Sequence, residues 1–94
     1  MLYLIHADEK LHHAQHYLGY TTNLGRRLDD HLLGNGARLV EVYNQNHIHW
    51  RVVRVWPKGT RTDERRLKRQ KHGPRLCPVC NQKLKIPVYS AGKL

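Results

Sequence analysis

The 94-residue sequence has no phenylalanine, one methionine and two cysteines, and its seven acidic residues face 17 lysines and arginines. It contains no run of about 18 apolar residues, which excludes a membrane-spanning helix. The apolar start, Met1-Leu2-Tyr3-Leu4-Ile5-His6, gives way at once to His, Asp, Glu and Lys. A secretory signal needs a basic start and a longer apolar stretch, so a cytoplasmic protein is expected. Two cysteines in a single Cys-x-x-Cys do not make a secreted disulfide framework. With 7% aromatic and 39% hydrophobic residues, a thin core is expected, enough for one small domain and not for two. That domain is expected over residues 1–75, with 76–94 a C-terminal tail carrying the Cys-x-x-Cys knuckle.

What the chain has in excess is positive charge, a formal +10. A balance of that kind points to a polyanionic partner. From Lys58 to Arg75 eight basic residues stand against only Asp63 and Glu64. Charge runs are commonly no more than solvated faces, but this density favours nucleic acid, held through its phosphates. An anionic membrane surface fits less well. Leu67 is the only large apolar residue between Thr60 and Lys71, and an interfacial helix needs a whole apolar face.

Hydrophobic periodicity divides the chain into six elements. Tyr3 to His6 reads as a first strand, Ala7 to Gln15 as a connection, and His16 to Thr21 as a second strand antiparallel to the first. Asn23 suits a helix cap. Leu24, Leu28 and Leu32 then follow at four-residue steps, one face of a helix that Gly34-Asn35-Gly36 stops. Ala37 to Asn46 reads as a second helix with Leu39, Val42 and Tyr43 on its apolar side. His49 to Trp56 reads as a third strand with apolar residues on both faces, a pattern of a central strand despite Arg51 and Arg54. Thr60 or Thr62 caps a third helix running to about Lys71, before His72-Gly73-Pro74 breaks it. The order β-β-α-α-β-α predicts an α/β sandwich with a small three-stranded antiparallel sheet flanked by helices.

Several side chains on these elements suit phosphodiester chemistry. Tyr3 and Tyr17 fall one in each strand of the hairpin. Arg27 lies on the first helix, and His31 one turn later shares its face. Glu64 lies on the third helix. A tyrosine oxygen can take a proton from water when a cation favours its ionised form. An arginine offsets the charge of a pentavalent phosphate, and a carboxylate can hold a divalent ion beside the leaving oxygen. Each residue alone has an ordinary explanation: strand packing for the tyrosines, a solvated face for Arg26 and Arg27, a surface pair for Glu64 and Lys68. Together they require several coincidences in the right order.

At this point the sequence resembles the GIY-YIG nuclease domain, known from phage homing endonucleases and from excision-repair incision. The resemblance covers about residues 1 to 72. It is carried by Tyr17-Leu18-Gly19, by the following segment through Leu24, Arg27 and His31, and by Glu64-Arg65-Arg66-Leu67-Lys68. It implies a metal-dependent DNA endonuclease. Tyr17 would be the general base, with Tyr3 supporting the water or phosphate. Arg27 would bind the scissile phosphate, Glu64 would hold one Mg²⁺ or Mn²⁺, and His31 would assist. Arg26, Arg65, Lys68, Arg69 and Lys71 would grip the nucleic acid. The sequence departs from the family pattern in three respects. Met1-Leu2-Tyr3 lacks the glycine of the first motif, Tyr3 and Tyr17 are farther apart than expected, and Asn81 is the only asparagine beyond Glu64. A domain this small has little surface for reading a long site, so it acts on DNA shape or through a targeting protein.

Cys77-Pro78-Val79-Cys80 is a knuckle of the type that supplies half of a tetrahedral zinc site. His72 is a candidate third ligand. His6, His12, His13 and His16 cluster around the hairpin but read as polar strand and loop residues rather than ligands. Two other functions therefore stand beside the nuclease: a nucleic-acid-binding module that kept the fold without cleavage, and a zinc-knuckle adaptor.

Overall fold

The structure is a computed structural model and describes residues 1–11, 14–70 and 73–84. Its strands are β1 (Leu2–Leu11), β2 (Ala14–Tyr20) and β3 (Trp50–Trp56). Its helices are α1 (Leu24–Leu32), α2 (Arg38–Gln45), α3 (Arg61–Gln70) and the short α4 (Gly73–Leu76), followed by a 3-10 turn over Gln82–Leu84. The three strands form one antiparallel sheet in the order β2-β1-β3. The expected α/β architecture is therefore present. No described helix is long and apolar enough to cross a membrane.

The central strand is β1, not β3 as the apolar run of Trp50–Trp56 suggests. The reason lies in charge. Leu2 to Ala7 carries no full charge and is buried on both faces, whereas β3 carries Arg51 and Arg54, which need a route to solvent or to an acceptor. Side chains alternate along β1. Tyr3, Ile5 and Ala7 join a core cluster with Val40, Tyr43, Ile48, Trp50 and Val52. Leu2 and Leu4 join a second cluster with Leu18, Val53 and Cys77, against which Leu67, Leu76 and Val79 pack. Helices α1 and α2 thus cover one face of the sheet, and α3 with the knuckle covers the other.

The register of β3 against β1 slips by one. Leu4 lies opposite Arg54, but Ile5 lies opposite Val52. The extra residue is a β-bulge, and it turns Val53 and Arg54 to the same side. Val53 enters the second cluster, and Arg54 donates from Nη1 to the Leu76 carbonyl at 3.0 Å. The arginine also lies over the Trp56 ring at 4.3 Å.

The hairpin is longer than the sequence suggests. Ala7 to Leu11 and Ala14 to Gln15 continue the strands instead of forming a connection. Asp8, Glu9 and Lys10 are exposed there, so backbone pairing sustains a ribbon that hydrophobic alternation does not reveal. Tyr43 Oη donates to the Ala14 carbonyl at 3.1 Å and ties the ribbon to α2.

Asn23 caps α1 by accepting the Arg26 N–H at 3.1 Å, as its position predicts. Leu24 and Leu28 pack on the core, but Leu32 is exposed. His31, one residue earlier, takes the buried place instead. In α2, Val40 and Tyr43 are the buried residues, with Leu39 packed at the edge of the cluster. Thr60, not Thr62, caps α3. Its hydroxyl accepts the Asp63 N–H at 3.2 Å, and its own N–H donates to the Asp63 carboxylate at 3.0 Å. This reciprocal pair is a capping box with aspartate in the third position.

Candidate functional site

The side chain of Tyr3 points from the central strand toward α1. Its hydroxyl lies 2.7 Å from Nε2 of His31, and both residues are fully buried. Two glycines make room for the pair. A methyl group on Gly19, the cross-strand partner of Tyr3, would collide with the Tyr3 phenol and with the Tyr17 ring. One on Gly36 would collide with the His31 imidazole. The Trp50 ring meets His31 edge-on at 5.9 Å. Asn44 braces both, donating to the His31 carbonyl at 2.8 Å and accepting from the Trp50 indole at 2.9 Å.

Tyr17 closes the group from the edge strand. Its ring centroid is 6.1 Å from Tyr3 and 5.8 Å from His31. From α3, Lys68 Nζ stands 5.5 Å from the Tyr17 ring centroid and 3.6 Å from the Glu64 carboxylate. Glu64 is largely sheltered, with 17% of its side chain exposed. Four elements thus bring Tyr3, Tyr17, His31, Glu64 and Lys68 to one end of the sheet.

Burial dominates the electrostatics. It holds the Tyr3 hydroxyl above the ordinary tyrosine range, with the neighbouring Tyr17 adding to the effect. Arg27 pulls in the opposite direction and Glu64 adds a small upward push, so both charges reach this hydroxyl. His31 is lowered to about 4, first by burial and then by Arg27, against which Asp30 acts. At neutral pH the pair is therefore an uncharged phenol and an uncharged imidazole. Nδ1 of His31 is buried and has no hydrogen-bond partner among the described residues.

The basic residues divide. Arg26 and Arg27 line a cleft of about 410 Å³ at the start of α1, together with Thr21, Thr22, Asn23 and Asp30. Arg65 and Arg69 are exposed on α3. Lys68 is exposed as well, and it pairs with Glu64 and stands beside the Tyr17 ring. Lys71 and His72 lie outside the described residues, as do His12 and His13.

On the opposite face of the sheet a second group forms. His6 and His16 are directly paired across β1 and β2, and the knuckle brings Cys77 and Cys80 against them. The four ligand atoms lie within 4.8 Å of one another, and together they could hold a metal ion. His6 and His16, read from the sequence as polar strand residues, are strand residues that the fold also sets against the two cysteines. The pairing is hidden in the sequence: extended regularly from Leu11 opposite Ala14, the register would set His6 against Gly19, and only the shift between His6 and Leu11 brings His16 there. Ala7 to Gln15 also does not read as strand. Burial lowers both imidazoles, His16 to about 4, which leaves them in the neutral form that ligates metals. Asn81 serves the knuckle, its side chain donating to the Arg75 carbonyl at 3.0 Å and its N–H to the Cys77 carbonyl at 2.8 Å.

In comparisons with known proteins, no family model, curated protein or solved structure matches the chain.

Proposed function

We propose that this protein is a metal-dependent endonuclease that hydrolyses DNA phosphodiester bonds. The observation that carries the reading is the convergence of Tyr3, Tyr17 and His31 with the charges of Arg27 and Glu64, drawn from β1, β2, α1 and α3. Convergence from separate elements is what a site needs and what surface pairs lack.

The roles follow from the environments. Tyr3 keeps its proton because it is buried. It therefore acts as a hydrogen-bonding group held in place by His31, not as the base. Tyr17, on the edge strand beside Lys68, is the general base that takes a proton from the attacking water. Arg27 meets the scissile phosphate and offsets the charge it gains in the transition state. The neutral His31 orients Tyr3 and adds no positive charge to the buried group.

The sheltered carboxylate of Glu64 fits a Mg²⁺ or Mn²⁺ ion, which commonly binds one or two carboxylates and fills its other positions with water and phosphate. Such an ion supplies Lewis-acid stabilisation of the leaving oxygen. Glu64 would exchange its contact with Lys68 for it. The same contact supports the second reading, a DNA-binding module without cleavage, in which Lys68 and Glu64 remain paired.

Supercoiled plasmid and a branched DNA, each incubated with Mg²⁺ or Mn²⁺, separate the two. The native chain should nick or cut at least one. Glu64→Gln and Tyr17→Phe should lose cleavage while keeping DNA binding. Binding without cleavage by the native chain would establish the second reading. Full cleavage by Glu64→Gln would remove that residue from the site.

A further inference from the structure

We propose that His6, His16, Cys77 and Cys80 form a four-coordinate structural zinc site that clasps the C-terminal knuckle to the β1–β2 hairpin. This proposal stands apart from the nuclease reading and rests on different residues.

Distances supply the first argument. Zinc binds sulfur at about 2.3 Å and imidazole nitrogen at about 2.0–2.1 Å, in tetrahedral geometry. Simple trigonometry then sets ligand nitrogen and sulfur about 3.5 Å apart, and two nitrogens about 3.3 Å apart. The protein places Cys77 Sγ 3.5 Å, and Cys80 Sγ 3.7 Å, from His6 Nδ1. Cys80 Sγ lies 3.4 Å from His16 Nε2, and the two nitrogens are 3.2 Å apart. Four edges of the tetrahedron are thus close to their ideal lengths before any ion is considered.

The second argument is a count of protons. His6 Nδ1 faces three polar atoms at once: His16 Nε2, Cys77 Sγ and Cys80 Sγ. An imidazole nitrogen has either one hydrogen or one lone pair, never several of either. No arrangement of hydrogens satisfies all three contacts. One cation at the centre accounts for them together.

Chemistry selects the ion. Two thiolates and two imidazoles in a tetrahedron suit zinc, and two negative sulfurs neutralise its charge. Neutrality matters here, because Cys77 is fully buried and His6 nearly so. The surroundings are built to the same plan. A methyl group on Gly73, at the start of α4, would crowd the His16 side chain. Arg54 holds the Leu76 carbonyl just before the first cysteine.

The clasp joins residues more than 60 positions apart in sequence and adds to the apolar packing of Leu76, Cys77 and Val79 on the sheet. The test is metal analysis of the full-length chain expressed with zinc, with cobalt substitution as the spectroscopic readout. The native protein should carry about one zinc per chain, and its cobalt form should show the intense visible bands of a tetrahedral thiolate site. Cys80→Ser and His16→Ala should bind zinc more weakly by on the order of a hundred-fold or more in chelator competition. Circular dichroism of each variant checks that it folds. The most exposed ligand, Cys80, gives the variant best placed to do so. Glu64→Gln should keep its zinc whatever happens to cleavage. A native chain that neither carries nor takes up zinc would overturn the proposal, and so would a folded His16→Ala protein with native zinc affinity and cobalt spectrum.

Discussion

The Tyr3 hydroxyl and the Nε2 atom of His31, 28 positions apart in sequence, meet at 2.7 Å in a site closed to solvent. Neither carries charge at neutral pH, because burial raises the phenol and lowers the imidazole. The contact is a neutral hydrogen bond inside a strongly basic protein.

Its protonation should be visible in stability. His31 titrates near 6.5 when unfolded and at about 4 when folded. Between these values the unfolded chain binds more protons, so stability falls as the pH falls through that window. The loss should approach about 1.4 kcal/mol per pH unit and reach about 3 kcal/mol in all. Urea unfolding of the native chain and of His31→Gln, compared from pH 7 to pH 4, isolates this contribution. The difference between them should change with pH. A constant difference would show that His31 binds protons equally well in the folded and unfolded chains.

Gly19 should tolerate no side chain. A methyl group there meets the Tyr3 phenol and the Tyr17 ring, so Gly19→Ala must displace Tyr3 from His31. We expect a loss of about 1–3 kcal/mol, the usual cost of overpacking. Truncating the ring as well, in Gly19→Ala with Tyr3→Ala, should cost less than the two single losses added. Additive losses would mean that the two residues do not compete for space.

The exposed arginines of α3 should provide the electrostatic grip on DNA. Replacing Arg65 and Arg69 by alanine should weaken binding to all sequences alike. The salt slope should fall by up to ~0.9 for each phosphate that is no longer neutralised. Fluorescence anisotropy over a range of salt concentrations measures it. Lys68 should behave differently. Held by Glu64 and Tyr17, it should affect the salt slope less than either arginine. Equal slopes for all three variants would show that the contact with Glu64 does not keep Lys68 from DNA.

The α/β layout was legible because it follows from short-range rules, whereas the grouping of Tyr3, Tyr17 and His31 was an expectation from residue chemistry and the resemblance to the nuclease domain. Asn23, the leucine steps of α1 and the glycine stop after it are local signals, and so is the cap at Thr60. What escaped depends on register. A strand with charges at Asp8, Glu9 and Lys10 shows no alternation, so the long ribbon reads as a loop and the pairing of His6 with His16 is hidden with it. The position of β1 at the centre also escaped, since neighbours in a sheet are chosen by the burial of whole strands. The pairing of Lys68 with Glu64 was legible as an i,i+4 step, but the approach of Lys68 to the Tyr17 ring is tertiary and was not.

The bulge in β3 bears on how relatives of this chain would align. Val53 and Arg54 both face the knuckle only because one extra residue interrupts the pleat. A homologue without that residue would present a single side chain there: apolar cover for the knuckle, or a guanidinium for the Leu76 carbonyl, but not both. The difference would appear as a one-position gap, not as a substitution.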